Sequence, residues 1–529
     1  MNLRKNIVIT AFLVLGLPTL GSSQAKQTGG KTYAQQLIEI MTTGQIIELP
    51  DFPETEIFKQ FLEEEAAHKG ESPDIVKEEM KKTGVTSYLL DLLGQGQISS
   101  VEFANLMNVH WVQALRMAYA SGTLKMSDEF APMLSGEVTP SIQKMRRDRD
   151  IIVKEISYRS SLDDLFPLYA EIAYDPKVKG QPVMVIQHGD YPGTRMPMIP
   201  VIHHLAKKGI FGLAVSKRGR DGSAGHGDAF GKEIFDIYDA VEFVKRDYAP
   251  FIDPTNINIR GGSGGGMDTL ATVVHFPDYF RIAAPYVGPP DLDHWIRQIE
   301  PKLDIMKQFA EGSWSLFSNI FRDIGGKPAD VPDRYLVRNW VLGAINNPYT
   351  QIHIFWDEED GAAPSITERS QAFQEEAQKY GLTNVYLHFS RRGDKVRYLH
   401  WGVPDHNFAS HYFLPQILSK SHPAPLLADS GRLVILGFLK TNRFFIQLGE
   451  GNDAVAQVDY SLSSDLSTFN FRRRSSDPTK KGQLVFDNTE RQPFAVLVNN
   501  ETVTAKTSAS PIRITFGLDD RISLKKIEP

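Results

Sequence analysis

Between residues 151 and 420 short apolar runs alternate with helix-compatible stretches, and that alternation restricts the fold more than any other feature of the chain. IIVKEISYRSS (151–161) and FPLYAEIAYDP (166–176) read as a strand pair. PVMVIQHGD (182–190) and IFGLAVSKRGR (210–220) are apolar runs ending in polar turns with glycine, and IPVIHHLAKKG between them reads as a helix with a glycine stop. The pattern continues through INIRGGSGGG, QIHIFWDEEDG and NVYLHFSRRGD to a last helix near 407–420. Strand and helix alternating at this spacing predict a mostly parallel sheet with helices on both faces.

The flanking regions have a different texture. From about 30 to 145 the chain is polar, with apolar residues at three- and four-residue spacing, which predicts amphipathic helices. After SHPAPLLADSG (421–431), runs such as LVILGFLK, RFFIQLGEG and IRITFG are short strands between turn residues, a small all-β domain of sandwich type. The expected division is a leader at 1–25, a helical region at 26–148, the α/β domain at 149–422 and the β domain at 428–529. A chain of 529 residues is long enough for several cores.

The leader reading rests on Arg4 and Lys5 followed by an apolar stretch, Pro18 and small residues up to a cleavage point after Ala25. That stretch is short for a membrane anchor, so no stable membrane span is expected after cleavage. The chain has no cysteine, which excludes disulfides and a lipid-modified cysteine. Export without disulfides fits a periplasmic or secreted bacterial protein. A net charge of −6 with no long run of either sign excludes nucleic acid as the expected partner.

IRGGSGGGMDT (259–269) gathers five glycines around Ser263. A phosphate-binding P-loop needs Lys and then Ser or Thr after its last glycine, whereas Met267 and Asp268 follow Gly266. A dinucleotide fingerprint starting at Gly262 needs glycine at 267, and one starting at Gly261 needs it at 263; neither is present. A linker does not fit between a strand and a helix-compatible run. Gly261-Gly262-Ser263-Gly264-Gly265 does fit G-x-S-x-G, the strained strand-to-helix turn that presents a nucleophilic serine in α/β-hydrolases. The helix that follows aims its amino end, with free N–H groups, at developing negative charge.

Such a serine needs a base, an acid that orients the base, and an oxyanion hole. After the strand QIHIF, the loop WDEEDGAAP offers Asp357, Glu358, Glu359 and Asp360; Asp360, followed by Gly361 and Pro364, is the preferred acid. His388 lies within the last strand and reads as packing. His400 and His406 both fall in the loop before the final helix, and His406, abutting the helix start, is preferred as base. The oxyanion donors are expected to be the N–H of Gly264 and that of Asp190 or Tyr191 in the loop HGDYPG.

Over about 150–420 the chain resembles the prolyl oligopeptidase family of α/β-hydrolases, which includes dipeptidyl and acylaminoacyl peptidases and related esterases. The resemblance rests on FPLYAEIAYDP with PVMVIQHG, on LAKKGIFGLAVSKRGRDGSAGHGDAF, on IRGGSGGGMDTLATVVHFPDYFRIAAPYVGPPDL, and on DEEDGAAP. It implies the triad Ser263, Asp360 and His406, with Asn407 standing where the family has glycine. The family's peptidases carry a β-propeller before the catalytic domain, and the helical texture before residue 148 does not fit one. That departure favours an esterase or acyl hydrolase over a peptidase of short peptides, with a non-catalytic binding protein on the same fold as the remaining alternative. A small ester or a short peptide is the expected partner, and no cofactor or metal is expected.

Other features point less far. DLLGQGQISSVE (91–102) has calcium-loop spacing, but Leu93 and Gln95 stand where oxygen ligands are needed. His203 and His204 are adjacent on a helix and point apart, and His226 lacks a spaced partner. Trp295, Trp314 and Phe317 are candidates for an acyl pocket or for plain packing. The β domain has no tryptophan to stack on sugars, and Arg472 to Arg474 read as a solvated strand edge.

Overall fold

The computed structural model describes residues 56–83, 144–162, 166–189, 195–220, 222–303, 311–358, 365–391, 415–419 and 425–527, with isolated positions between them, Asp360 and Tyr398 included. The chain divides into two compact units. In the first, helices α1 (Glu56–Lys69) and α2 (Pro73–Thr83) pair across a turn at Gly70. Ala66, Val76 and Met80 bury the facing stripes, as the spacing predicts. Lys69 Nζ fastens the pair by donating to Glu79 Oε2 and to the Tyr88 hydroxyl, both at 2.7 Å. The expected leader, and most of the calcium-like loop, lie outside the described residues.

The second unit holds a sheet of eight strands: β1 (Ile152–Tyr158), β2 (Leu168–Tyr174), β3 (Gln181–Gln187), β4 (Phe211–Val215), β5 (Ile252–Gly262), β6 (Ile282–Tyr286), β7 (Gln351–Asp357) and β8 (Val385–Ser390). Their spatial order is β1-β2-β4-β3-β5-β6-β7-β8. β1 pairs antiparallel with β2, and β2 with β4; every other pairing is parallel. Strands buried on both faces need unbroken apolar runs, and β4 and β6 are buried at every position. Helices α3 (Ile199–Ala206), α4 (Glu233–Asp247) and α5 (Gly264–His275) connect the strands. His203 turns inward onto Asp148 Oδ2 at 2.9 Å while His204 stays exposed, so the two histidines do point apart.

The C-terminal strands belong to the same unit. They run from β9 (Ser430–Leu436), β10 (Phe438–Lys440) and β11 (Phe444–Leu448) through β12 (Val455–Ser461), β13 (Leu466–Arg473) and β14 (Lys481–Phe486) to β15 (Phe494–Val498), β16 (Glu501–Thr507), β17 (Ile512–Gly517) and β18 (Arg521–Lys526). All join in one antiparallel sheet ordered β16-β15-β18-β13-β12-β9-β10-β11-β14-β17. The sheet folds over so that strands distant in that order touch. Phe471 of β13 stacks on Phe516 of β17 at 4.0 Å, and Phe486 of β14 meets Phe494 of β15 at 6.1 Å. This closes a sandwich-like core. Arg472 to Arg474, read as a solvated strand edge, lie beyond the part of β13 that pairs with β18, which ends at Asn470, while β12 pairs with the strand as far as Arg473. Arg472 meets Asp459 at 3.6 Å and Arg473 meets Asp519 at 3.4 Å.

The carboxyl end of α5 is clamped against this second sheet. Asn346 Nδ2 donates to Val274 O at 2.9 Å and to Val434 O at 2.7 Å, while its Oδ1 accepts from Val434 N at 2.8 Å. His275 sets its two ring nitrogens against Ala271 O and Leu436 O, at 2.7 and 2.9 Å. Around these bonds Phe438 packs on His275, Phe235 and Phe276. The helix that begins at Ser263 therefore ends in an interface.

Candidate active site

Ser263 follows β5 and caps α5 with φ 56° and ψ −122°, a conformation that a non-glycine residue adopts only under constraint. Its N–H donates to Tyr286 O at 2.8 Å, and its carbonyl accepts from Gly266 N and Met267 N at 2.9 and 3.1 Å. The flanking glycines are there because nothing larger fits. A Cβ on Gly265 would lie 2.4 Å from Gln187 O, and one on Gly261 would lie 2.3 Å from Gly265 O. The elbow is thus pressed onto the end of β3. Gly265→Ala is expected to lower the melting temperature and cut turnover at least tenfold, since a rigid backbone carbonyl must move; differential scanning fluorimetry and ester kinetics on the variant check both.

As the first helical residue, Gly264 has an N–H with no intrahelical acceptor. Across from it the chain leaving β3 passes at Gly189, where an added Cβ would lie 3.6 Å from Ser263 Cβ. Asp190 and Tyr191, the expected second donors, are outside the described residues.

Asp360 sits in the turn beyond β7, 7% exposed, with its N–H donating to Asp357 O at 3.1 Å. β6 separates β7 from β5, so the turn lies two strands from the elbow, about 10 Å across the sheet, at the same carboxyl edge. Asp357 is fully buried and accepts from Ser390 Oγ at 2.6 Å, and that hydroxyl accepts in turn from Tyr398 N. It ties β7 to β8. His400 and His406 lie outside the described residues. His388 is part-buried, stacked on Phe355 and 3.0 Å from His353 Nδ1, and both histidines are held neutral by burial, His353 down to about 3 and His388 to about 4. Trp295 and Phe317 are buried; the side chain of Trp314 is not among those described.

Sequence reasoning passed over a set of buried charges beside the elbow. Lys217, just beyond β4, lies 2.7 Å from Asp268 Oδ2 on α5, with side-chain exposures of 2% and 1%. Arg218 holds Asp236 with two bonds, 2.8 and 2.6 Å. Burial raises Asp236 and Glu233 each to about 7, against the pull of these cations. Burial also depresses His188 to about 3, helped by Lys217 and Arg220. Ala229 and Phe230, at φ 51° and 68°, carry the chain into α4, and Arg338 holds the carbonyls of Asp228 and Ala229. Val287, at φ 48°, follows β6 directly and donates its N–H to Phe355 O. β-Branched residues avoid that region, so Val287 marks stored strain at the site's edge. Among the described residues no group of three His, Cys, Asp or Glu could hold a metal ion.

Sheet order, strained serine turn and helix amino end define the class: an α/β-hydrolase with a nucleophile elbow. The resemblance read from the sequence holds over the segment carrying that elbow, since residues 201–310 match the prolyl oligopeptidase family, a family of serine hydrolases. The chain is similar to dipeptidyl peptidase family member 6 of Caenorhabditis elegans, 30% identical over 140 residues, which are 25% of this chain and 18% of that one. It is also similar to dipeptidyl aminopeptidase BIII of Pseudoxanthomonas mexicana, 26% identical over 240 residues, 40% of this chain and 32% of that one. The chain thus spans a minor part of both relatives' lengths. Among solved structures it is similar to a Pyrococcus furiosus esterase, with 18% identity, a TM-score of 0.40, and coverage of 52% of this chain and 94% of that one.

Proposed function

We propose that this chain is an exported serine hydrolase that cleaves carboxyl esters through an acyl-enzyme on Ser263. The observation that carries the reading is the backbone of Ser263, forced to positive φ between β5 and α5 with the N–H of Gly264 beside it. His406 takes the serine proton and returns it to the leaving group, and Asp360 orients the imidazole. Gly264, with Asp190 from the loop after Gly189, donates to the oxyanion, where losing one donor typically raises the barrier by about 3 kcal/mol. The leader is removed after Ala25, so the mature chain begins at Lys26 in the periplasm or outside the cell.

Ester preference is inferred from the helical texture of residues 26–148, to which α1 and α2 belong. A second reading, a peptidase of short peptides, is favoured by the relatives' names, both dipeptidyl peptidases by description. Both use the same acyl-enzyme. Hydrolysis of p-nitrophenyl esters alongside aminoacyl-p-nitroanilides separates them. Ester turnover that disappears in Ser263→Ala supports the first reading, turnover of anilides alone supports the second, and no Ser263-dependent turnover of either opposes both.

A further inference from the structure

We propose that Lys217 is a positioning residue for the nucleophile elbow, acting through Asp268 to keep the amino end of α5 electropositive while the oxyanion forms. This rests on the serine hydrolase reading of the same site and adds a control of its electrostatics.

Asp268 is an unusual residue where it stands. Every residue from Gly264 to His275 is buried, and Asp268 is the one acid among them. It lies five residues beyond Ser263, about 7.5 Å along the helix axis. An unscreened negative charge there would oppose both the helix dipole and charge developing on an oxyanion held by Gly264. Lys217 reaches it from the far side of β3, 2.7 Å from Oδ2, and both side chains are almost wholly removed from water. At that burial an ion pair interacts far more strongly than on the surface.

The surroundings of the pair are charged on three sides. Glu233, at the start of α4, and Arg220, after β4, face the pair; Arg220 lies 3.9 Å from Glu233 Oε2. Asp228 faces Glu233, and His188, at the end of β3, faces Lys217 and Arg220 and is held neutral. Below the pair, Lys217 Nζ stands over the Phe230 ring, 5.4 Å from its centre, so the strained Ala229–Phe230 turn supports the cation. Burial pushes the Asp268 carboxyl up and Lys217 pulls it back toward the ionised form. Without Lys217 the carboxyl would be protonated at low pH and charged at high pH. A simple structural pair predicts one uniform loss; this arrangement predicts a loss that grows with pH.

The test is kcat for a p-nitrophenyl ester between pH 6 and 9.5, on the full chain and on Lys217→Met, Asp268→Asn and the double variant. Lys217→Met is expected to lose about tenfold in kcat at the alkaline end, from one charge near the oxyanion, with KM unchanged and a smaller loss at pH 6. The double variant is expected to return within about threefold of the parent and to lose the added alkaline limb. Should Lys217→Met not fold, Asp268→Asn and the double variant still decide: both close to the parent support the proposal. A pH-independent loss in Lys217→Met, or a double variant slower than the parent by tenfold or more, overturns it. The underlying reading fails separately, when the parent chain itself shows no turnover that depends on Ser263.

Discussion

Ser263→Ala is expected to remove at least about 10⁴-fold of kcat on any ester the parent turns over, while the melting temperature stays within a few degrees. The asymmetry follows from what the residue does in the fold. Its backbone holds the turn, through the N–H to Tyr286 O and the carbonyl that starts α5. Alanine retains both. It also carries the same Cβ in the same positive-φ position, so the strain is unchanged. Only Oγ is lost, and with it the acyl-enzyme. Residual turnover would come from water activated beside the oxyanion donors, which is why the expected loss is large and finite. Steady-state kinetics with calorimetry on the purified variant checks both halves; a large drop in melting temperature would mean that the hydroxyl supports the fold.

The second large effect concerns the C-terminal sheet. Removing residues 428–529 is expected to leave an insoluble or molten catalytic portion. The cut would expose Phe235, Phe276 and Val274, now buried at the interface, and would strip Asn346 of both its bonds to Val434. Each fully buried aromatic or aliphatic side chain returned to water costs about 2 kcal/mol, and a buried polar group left unpaired costs about as much. Summed, these approach the whole stability of an ordinary domain. Asp278 would also lose Asn442 N–H, a bond of 3.0 Å. Expression of the shortened chain, followed by circular dichroism and ester turnover, is the check. A soluble, fully active product would show that the second sheet is separable.

The elbow was legible because its sterics are written in residue types: Gly261 and Gly265 are glycine because backbone oxygens occupy their Cβ positions. The strands were legible because β4 and β6, buried on both faces, must be continuously apolar. Strand order was not, since nothing in a run such as FGLAV says which neighbour it will take. Asp357 and Asp360 could be separated in the sequence only by turn chemistry; the structure adds that Asp357 is engaged by Ser390. The Lys217–Asp268 pair left a trace, a lone acid in the otherwise uncharged run GGGMDTLATVVH, but its partner lies fifty-one positions upstream with no periodicity joining them. Ala229, Phe230 and Val287 left none, because positive φ at residues other than glycine is imposed by the surrounding packing.

Covalent capture reads out the proposed nucleophilic role of Ser263 at the residue itself. The full chain would be incubated with a fluorophosphonate at neutral pH, digested, and the modified peptide sequenced by mass spectrometry. One adduct is expected, on Ser263, absent from Ser263→Ala and from chain unfolded before labelling. Adducts scattered over surface serines and tyrosines, or none on Ser263 in the folded chain, would contradict it.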